Sequence, residues 1–87
     1  MGEHFVYIVE CNDGTLYTGY TTDVSRRIDE HNSGVGAKYT RGRTPVELAH
    51  IEEYGSKSEA MSREYEIKQL SREEKLGLCE SEPVHRR

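Results

Sequence analysis

The N-terminal part of the chain contains two short runs of β-branched and aromatic residues separated by a turn signal. The first run is FVYIVEC, residues 5–11, and the second is TLYTGY, residues 15–20. Such runs are typical of β-strands, and the Asn-Asp-Gly sequence between them, residues 12–14, favours a tight turn. The pattern therefore predicts a β-hairpin.

The type of turn decides which side chains share a face of this hairpin. A three-residue loop with a left-handed glycine places Val9 opposite Tyr17 and Tyr7 opposite Gly19. Because side chains alternate between the two faces of a strand, Tyr7 and Tyr17 then point to the same side. A two-residue Asp-Gly turn would put them on opposite sides.

A short helix is predicted after the hairpin. Thr22 or Asp23 can cap its N-terminus, it runs to about Asn32, and Gly34 is available beyond its end. At 100° per residue, one face of this helix is formed by Val24, Ile28 and His31. Arg27 flanks that face.

A glycine-rich loop and a third strand are predicted next. The loop spans residues 33–45 and carries three glycines, a proline and three basic residues. The strand spans residues 46–54. In its predicted alternation, one side holds Val46, Leu48 and His50 and the other holds Glu47, Ala49 and Ile51.

Two capping boxes predict two further helices. The first box, residues 56–59, begins a helix whose apolar stripe consists of Ala60, Met61, Ile67 and Leu70. The second, residues 71–74, begins a short helix that extends toward Leu78. Residues 80–87 are expected to form a flexible tail.

Length and charge indicate one small domain with a basic middle. The 87 residues predict a single domain, residues 1–79, and the absence of an apolar run of about 18 residues argues against a membrane span and for a cytoplasmic protein. The net charge is −4, but residues 20–43 have a balance of +2 and residues 44–82 a balance of −5. A basic segment of this kind can bind a phosphate backbone, although a solvated mixed-charge loop would give the same pattern.

Glu64 is a candidate metal ligand because it falls within an apolar helical stripe. Ala60 and Met61 lie one turn before it and Ile67 one turn after it. A carboxylate on such a face is costly unless it is paired or binds a metal, and Mg²⁺ commonly takes one or two protein carboxylates. The alternative is a partly buried Glu64 paired with Lys68 at i+4.

The first predicted helix and the hairpin supply the other candidates. Arg27 and His31 are four residues apart, so a guanidinium that can grip phosphate lies next to an imidazole that can donate to phosphate or assist proton transfer. The hydroxyls of Tyr7 and Tyr17 could orient or deprotonate a water, and Gly19 permits close approach. A salt-bridged Arg27, a packed His31 and packed tyrosines are the alternatives.

Together, in their order and spacing, these residues resemble the GIY-YIG nuclease family. The resemblance spans about residues 5–78 and is carried by Val6-Tyr7-Ile8, Tyr17-Thr18-Gly19, Arg27, His31-Asn32 and Glu64. The stretch GAKYTRGRTPVEL looks especially like the small stand-alone bacterial members. Two departures stand out: Val6 replaces the first glycine of the namesake triad, and SREEKLGL lacks the asparagine that several active relatives carry beyond the metal-binding glutamate.

The resemblance implies an α+β fold, a small three-stranded antiparallel sheet flanked by helices in the order β-β-α-β-α-α, with one divalent metal, Mg²⁺ or Mn²⁺. By this analogy Glu64 is the metal ligand and Arg27 stabilises the phosphate. Tyr7 and Tyr17 position or activate the attacking water, and His31 supports the phosphate or the leaving group. Backbone phosphates would be contacted near Gly19 by Lys38, Arg41 and Arg43.

The function expected from the resemblance is a metal-dependent endonuclease acting on DNA or structured nucleic acid, possibly in DNA repair or processing. Its target choice would come from its own loops, from a protein partner or from a homo-oligomer. Two alternatives remain: a non-catalytic nucleic-acid-binding module that retains the shape of the site, and an adaptor whose acidic C-terminal half binds a protein.

Overall fold

A computed structural model describes residues 2–81 of the chain, and its strands and helices follow the predicted order β-β-α-β-α-α. The elements are β1 (His4–Glu10), β2 (Leu16–Thr21), α1 (Val24–Asn32), β3 (Glu47–Tyr54), α2 (Lys57–Lys68) and α3 (Arg72–Ser81). The strands form one antiparallel sheet in the order β2-β1-β3. The predicted α+β fold is therefore confirmed.

The β1–β2 connection is the three-residue loop that sets the hairpin register. Gly14 has φ 85°, in the left-handed region, and Cys11 N–H donates to the Thr15 carbonyl at 2.8 Å. Tyr7 consequently pairs with Gly19 across the two strands. The predicted register is confirmed, and with it the shared face of the two hairpin tyrosines.

The sheet carries a packed core on each face. One core is supplied by β1 and α2 and contains Val6, Ile8, Ala60 and Ile67. The other, which we call the site face, contains Tyr7, Val9, Cys11 and Val46, with Tyr17, Ile28 and Leu48 packed against them. Thus α1 lies on the site face, whereas α2 covers the opposite face.

A β-bulge in β3 changes which side chains point to the site face. Ile8 pairs with His50 but Val9 pairs with Leu48, so Ala49 is the extra residue. Leu48 packs on the site face, whereas His50 is buried on the α2 side. The predicted alternation of β3 was therefore wrong at His50, because one inserted residue inverts the faces of all the residues that follow.

The α2 side of β3 carries a buried polar network centred on Glu52. Its carboxylate accepts hydrogen bonds from Arg63 Nε at 2.8 Å and Tyr54 Oη at 2.6 Å and lies 2.8 Å from His50 Nε2. Burial raises the pKa of Glu52, but the bonds from these three side chains outweigh it and hold the pKa well below its usual value. An ionised Glu52 thereby anchors α2 to the sheet.

The two capping boxes begin helices where they were predicted. Ser56 Oγ accepts from Glu59 N–H at 3.2 Å at the start of α2, and α3 begins with reciprocal bonds between Ser71 and Glu74. The third helix is longer than predicted and reaches Ser81, while residues 82–87 of the expected flexible tail lie outside the described residues. Among residues 2–81, no helix has both the length and the apolarity needed to cross a membrane.

Met61 does not belong to the apolar stripe of α2, contrary to the prediction. Ala60 and Ile67 are fully buried, but Met61 is 41% exposed. It follows Ala60 by one residue, so it is rotated 100° away from the line that faces the sheet. The buried stripe of α2 is narrower than the sequence suggested.

Truncating these two side chains should separate buried from exposed positions on α2. Ile67→Ala is expected to lower the free energy of unfolding by about 2–5 kcal/mol, because it leaves a cavity in the core. Met61→Ala, on the same helix, should change it by less than about 0.5 kcal/mol. Urea unfolding followed by circular dichroism measures both, and equal losses would contradict the packing described.

Candidate functional site

The candidate site is built around the hydroxyl of Tyr7. Tyr7 is 1% exposed, and its hydroxyl lies over Gly19, where a Cβ atom would overlap it. The missing side chain at Gly19 therefore lets the phenol reach across to β2, one of the two edge strands of the sheet. The ring of Tyr17 lies beside it on the same face, with 6.4 Å between the ring centroids.

His31 is the hydrogen-bond partner of the Tyr7 hydroxyl. Its Nε2 lies 2.8 Å from Tyr7 Oη, its Nδ1 lies 2.8 Å from Thr40 Oγ1, and the side chain is fully buried. Burial, and then the positive charge of Arg27, lower the pKa of His31 below its usual value, so the ring is neutral at pH 7. With both nitrogens engaged inside the protein, His31 acts on Tyr7 and does not face a ligand.

The ends of α1 explain how His31 reaches this position. Asp23 caps the N-terminus by accepting from Arg26 N–H at 3.0 Å, and Gly34, with φ 86°, lies just beyond the C-terminus. The chain then turns back so closely that a Cβ atom at Gly36 would overlap the His31 ring. The loop after α1 is thus folded against the imidazole.

Arg27 lies on the same helix, one turn before His31, at the border between core and solvent. Its side chain is 30% exposed and its Nη1 donates to Glu30 Oε1 at 2.8 Å. The hydrogen bond that Arg27 donates to Glu30 raises the pKa of Arg27, which keeps the guanidinium charged. Arg27 is thus salt-bridged, as in the alternative given by the sequence. Its guanidinium also faces the Tyr7 hydroxyl.

The electrostatic surroundings keep Tyr7 protonated at neutral pH. Burial raises the pKa of Tyr7 to about 12; Arg27 opposes the rise, whereas Tyr17 and Glu64 add to it. A phenol with this pKa is a weak base, and added positive charge beside it would be needed to make it a stronger one. The groups that act on its pKa are the predicted site residues themselves.

Glu64 approaches the site from the other side of the edge strand. Its side chain is 15% exposed and its carboxylate lies 3.4 Å from Lys68 Nζ, the i+4 pair given as the alternative. Although α2 packs on the face opposite Tyr7, it contacts β2, and the charge of Glu64 raises the pKa of Tyr7. Lys68 is 47% exposed, so the ion pair is partly solvated and contributes little stability.

The site offers a divalent cation one protein carboxylate, that of Glu64. Within residues 2–81, no group of three or more His, Cys, Asp and Glu side chains could hold a metal ion. Mg²⁺ at phosphoryl-transfer sites takes one or two carboxylates and completes its octahedron with water and phosphate oxygens. Glu64, whose negative charge already acts on Tyr7, fits such a loosely held cation; a cage made wholly of protein ligands is not present in the described residues.

The basic segment after α1 divides into two exposed side chains and one that is tied to the protein. Lys38 and Arg41 are exposed. Arg43 donates to the Tyr39 carbonyl at 2.8 Å and to Asp13 Oδ2 at 2.6 Å, and its guanidinium lies 4.4 Å from the centroid of the Tyr39 ring. Of the three expected phosphate contacts, Arg43 is therefore engaged in holding the loop against the hairpin turn.

Two residues of the site, Tyr39 and Thr40, were not predicted from the sequence. Tyr39 stacks on Tyr17 with 5.7 Å between ring centroids, and Thr40 is fully buried against His31. Both belong to a one-turn 3-10 helix, Lys38–Thr40, inside the predicted loop. In the sequence, Tyr39 and Thr40 stand next to each other among basic residues. No hydrophobic periodicity there indicates that Tyr39 is exposed and Thr40 is buried.

Comparison with known proteins identifies relatives of the whole domain. A family model described as the GIY-YIG catalytic domain matches residues 3–76. A UPF0213 protein of Halobacterium salinarum is 71% identical over 75 residues, which cover 86% of this chain and 97% of that protein. A UPF0213 protein of Staphylococcus epidermidis is 59% identical over 80 residues, 92% of this chain and 98% of that protein.

Two solved structures share the fold. The solution NMR structure of a UPF0213 protein from Bacillus halodurans superposes with a TM-score of 0.56 at 61% identity, covering 86% of this chain and 80% of that one. The solution NMR structure of a protein from E. faecalis gives a TM-score of 0.58 at 45% identity, covering 86% and 83% of the two chains.

The raised pKa of Tyr7 predicts a loss of stability at alkaline pH. Folded Tyr7 keeps its proton up to about pH 12, whereas in the unfolded chain the proton leaves near pH 10, so the free energy of unfolding falls as the pH rises through this window. Tyr7→Phe should reduce the fall by up to about 1 kcal/mol per pH unit. Urea unfolding at several pH values measures it.

The matched control is Tyr65→Phe, the same replacement at a side chain that is 68% exposed. Burial and Glu52 raise the pKa of Tyr54 to about 12 as well, so part of the alkaline fall persists in the Tyr7→Phe protein. The same pH dependence in the Tyr7→Phe and wild-type proteins would show that the Tyr7 phenol is not desolvated.

Proposed function

This chain belongs to the GIY-YIG family, and on that premise we propose that it is a divalent-metal-dependent endonuclease that hydrolyses phosphodiester bonds in DNA or structured nucleic acid. The observation that carries the proposal is the arrangement of four side chains around β2, three on the site face and Glu64 on α2 from the other side. The Tyr7 hydroxyl bonds His31, and the charges of Arg27 and Glu64 both act on its pKa. A phenol, a guanidinium and a carboxylate are the groups that a phosphodiester and its cation require.

Glu64 is the proposed ligand of a single Mg²⁺ or Mn²⁺ ion. When bound, the cation supplies Lewis-acid polarisation of the phosphate and neutralises charge that develops on it. Glu64 would hold the cation in place of Lys68, and the ion pair it would give up is partly solvated and contributes little stability. Lys68 is then released to solvent or to a phosphate oxygen.

Arg27 is the proposed stabiliser of the phosphate. Its guanidinium is charged, is 30% exposed and can present two N–H groups to phosphate oxygens. In the free protein Glu30 holds it at the border of the site. A phosphate placed there would share or replace Glu30 as the acceptor, so the arginine needs no large movement to reach it.

The two hairpin tyrosines are proposed to orient the attacking water. Tyr7 remains protonated at neutral pH in the free protein, so it offers a fixed hydroxyl whose position is set by Gly19 and His31. The ring of Tyr17 lies beside Tyr7 on the same face of the sheet. His31 contributes through its bond to Tyr7; its burial does not support the direct contact with phosphate or leaving group that the sequence suggested.

Nucleic acid would be held mainly by the exposed Lys38 and Arg41 through backbone phosphates. The acidic second half of the chain, with a balance of −5, repels phosphate elsewhere and so directs the backbone toward the basic segment. In this proposal the protein works in the cytoplasm on nucleic acid undergoing repair or processing. A protein partner or a second copy of the chain could add to target choice.

A non-catalytic nucleic-acid-binding module is the second candidate. The Glu64–Lys68 ion pair favours it, because the pair satisfies the carboxylate without a metal. The two candidates differ in one observable: only the nuclease gives cleavage products that depend on Mg²⁺ or Mn²⁺. A panel of labelled single-stranded, duplex, flap and junction substrates incubated with either cation decides between them.

Removing the Glu64 carboxylate should abolish cleavage without unfolding the protein. Glu64→Ala is expected to give no detectable product and to lose the Mn²⁺-induced broadening of Tyr7 resonances in NMR spectra. The matched control is Glu66→Ala, because Glu66 lies on the same helix and its side chain is 65% exposed. Cleavage by the Glu64→Ala protein at the wild-type rate would reject the assignment.

Removing the Arg27 guanidinium should slow cleavage while leaving metal binding intact. Arg27→Ala is expected to lower kcat/KM on the order of 100-fold or more, the size typical of a lost transition-state donor. Arg26→Ala is the matched control, since Arg26 is adjacent but its side chain is 63% exposed. Equal losses in both variants would point to general charge attraction instead of a specific contact.

A further inference from the structure

Thr40 is a buried hydroxyl in an otherwise exposed basic segment. It is fully buried, whereas Tyr39 and Arg41 on either side of it are exposed. Its Oγ1 lies 2.8 Å from Nδ1 of His31, whose Nε2 in turn lies 2.8 Å from Tyr7 Oη. A continuous chain of hydrogen bonds thus runs from the loop to the phenol at the centre of the site.

The hydrogen bonds around Nδ1 identify the tautomer of His31. Ala37 N–H points at Nδ1 from 3.4 Å, and a backbone N–H can only donate, so the ring is oriented for Nδ1 to accept. At that length the contact is too weak to fix the tautomer alone, and the short contact at Nδ1 is the one with Thr40. The Thr40 hydroxyl has one proton and two acceptors, Nδ1 at 2.8 Å and the Ala37 carbonyl at 2.9 Å. Thr40 Oγ1 lies 2.8 Å from the accepting Nδ1, and only the hydroxyl can supply the proton between them, so Thr40 O–H donates to Nδ1, while the Ala37 carbonyl accepts from Thr40 N–H at 3.1 Å.

With Nδ1 accepting, the proton of the neutral imidazole is on Nε2, and His31 donates to Tyr7 Oη. A hydroxyl oxygen that accepts this bond directs its own O–H elsewhere. Gly19 of β2 is packed against the same hydroxyl, with no room for a Cβ atom between them. The tautomer of His31 therefore decides whether the Tyr7 proton is donated to the imidazole or directed away from it.

We propose that Thr40 is a positioning residue that holds His31 in the Nε2–H tautomer and thereby turns the Tyr7 hydroxyl proton away from the imidazole, leaving it free to be donated within the site. The role of the site as a nuclease rests on the proposed function above, but the tautomer does not. Thr40 touches neither substrate nor cation; it acts through two side chains.

The test compares Thr40→Val, which keeps the shape and removes the donor, with Thr40→Ser, which keeps the hydroxyl. Two-bond ¹H–¹⁵N correlation spectra of the imidazole report the tautomer directly. The wild-type and Thr40→Ser proteins should show His31 protonated on Nε2, and Thr40→Val should show the proton on Nδ1 or divided between both nitrogens. The kcat of Thr40→Val should fall about tenfold with KM within about twofold, and Thr40→Ser should restore it.

Thr18→Val is the matched control. Thr18 is also a buried threonine, on β2, and its hydroxyl has no hydrogen-bond partner among the described residues. It should change neither the His31 spectrum nor kcat. A general effect of replacing a buried threonine would appear in both valine variants, which would overturn the specific role of Thr40.

A wild-type spectrum with the proton on Nδ1 overturns the proposal, as does an unchanged tautomer in Thr40→Val, even if that variant cleaves slowly. If Thr40→Val does not fold, the wild-type and Thr40→Ser spectra decide alone. If no nucleic acid is cleaved by the wild-type protein, the proposed function fails, while a tautomer change in Thr40→Val still supports the positioning role.

Discussion

A phenol hydroxyl that is removed from water must find a hydrogen-bond partner, and in this fold the partner of Tyr7 is His31. Much of the site follows from that requirement. The Tyr7 hydroxyl fits there because Gly19 has no side chain. The His31 imidazole fits beside it because the chain folds back after α1 at Gly36, which also has no side chain. This one hydrogen bond therefore joins β1 to α1. The strand β2 and the loop after α1 pack against the two side chains that form it.

Opposite charges are brought to this bond from two sides of the sheet. Arg27 arrives from α1 on the site face, and Glu64 arrives from α2 on the other face, beside the edge strand. Each is held in the free protein by a weak, partly exposed partner on its own helix, Glu30 or Lys68. Both are therefore held loosely, whereas Glu52 on the far face is held by several hydrogen bonds and fixes α2 to the sheet.

Local signals predicted most of the fold, and failures occurred where long-range contacts decide. The left-handed Gly14 and the alternation of strands were sufficient to place Tyr7 and Tyr17 on one face, and the capping boxes located α2 and α3. The bulge at Ala49 could not be foreseen, because it depends on pairing with β1 and leaves no mark in the spacing. Thr40 was missed for the same reason: its partner, His31, is nine residues away in the chain and on another element.

The bulge in β3 also bears on the choice of ion at the proposed site. By moving His50 to the α2 side, where it bonds Glu52, it withdraws an imidazole from the neighbourhood of the tyrosines, and His31 has both nitrogens occupied. Among the described residues, no imidazole on the face of the tyrosines is therefore left free to bind an ion. Zinc, nickel and copper favour imidazole or thiolate, whereas magnesium and manganese favour carboxylate and water. At the proposed site, one inserted residue in β3 would thus favour hard ions over the transition metals that bind imidazole more tightly.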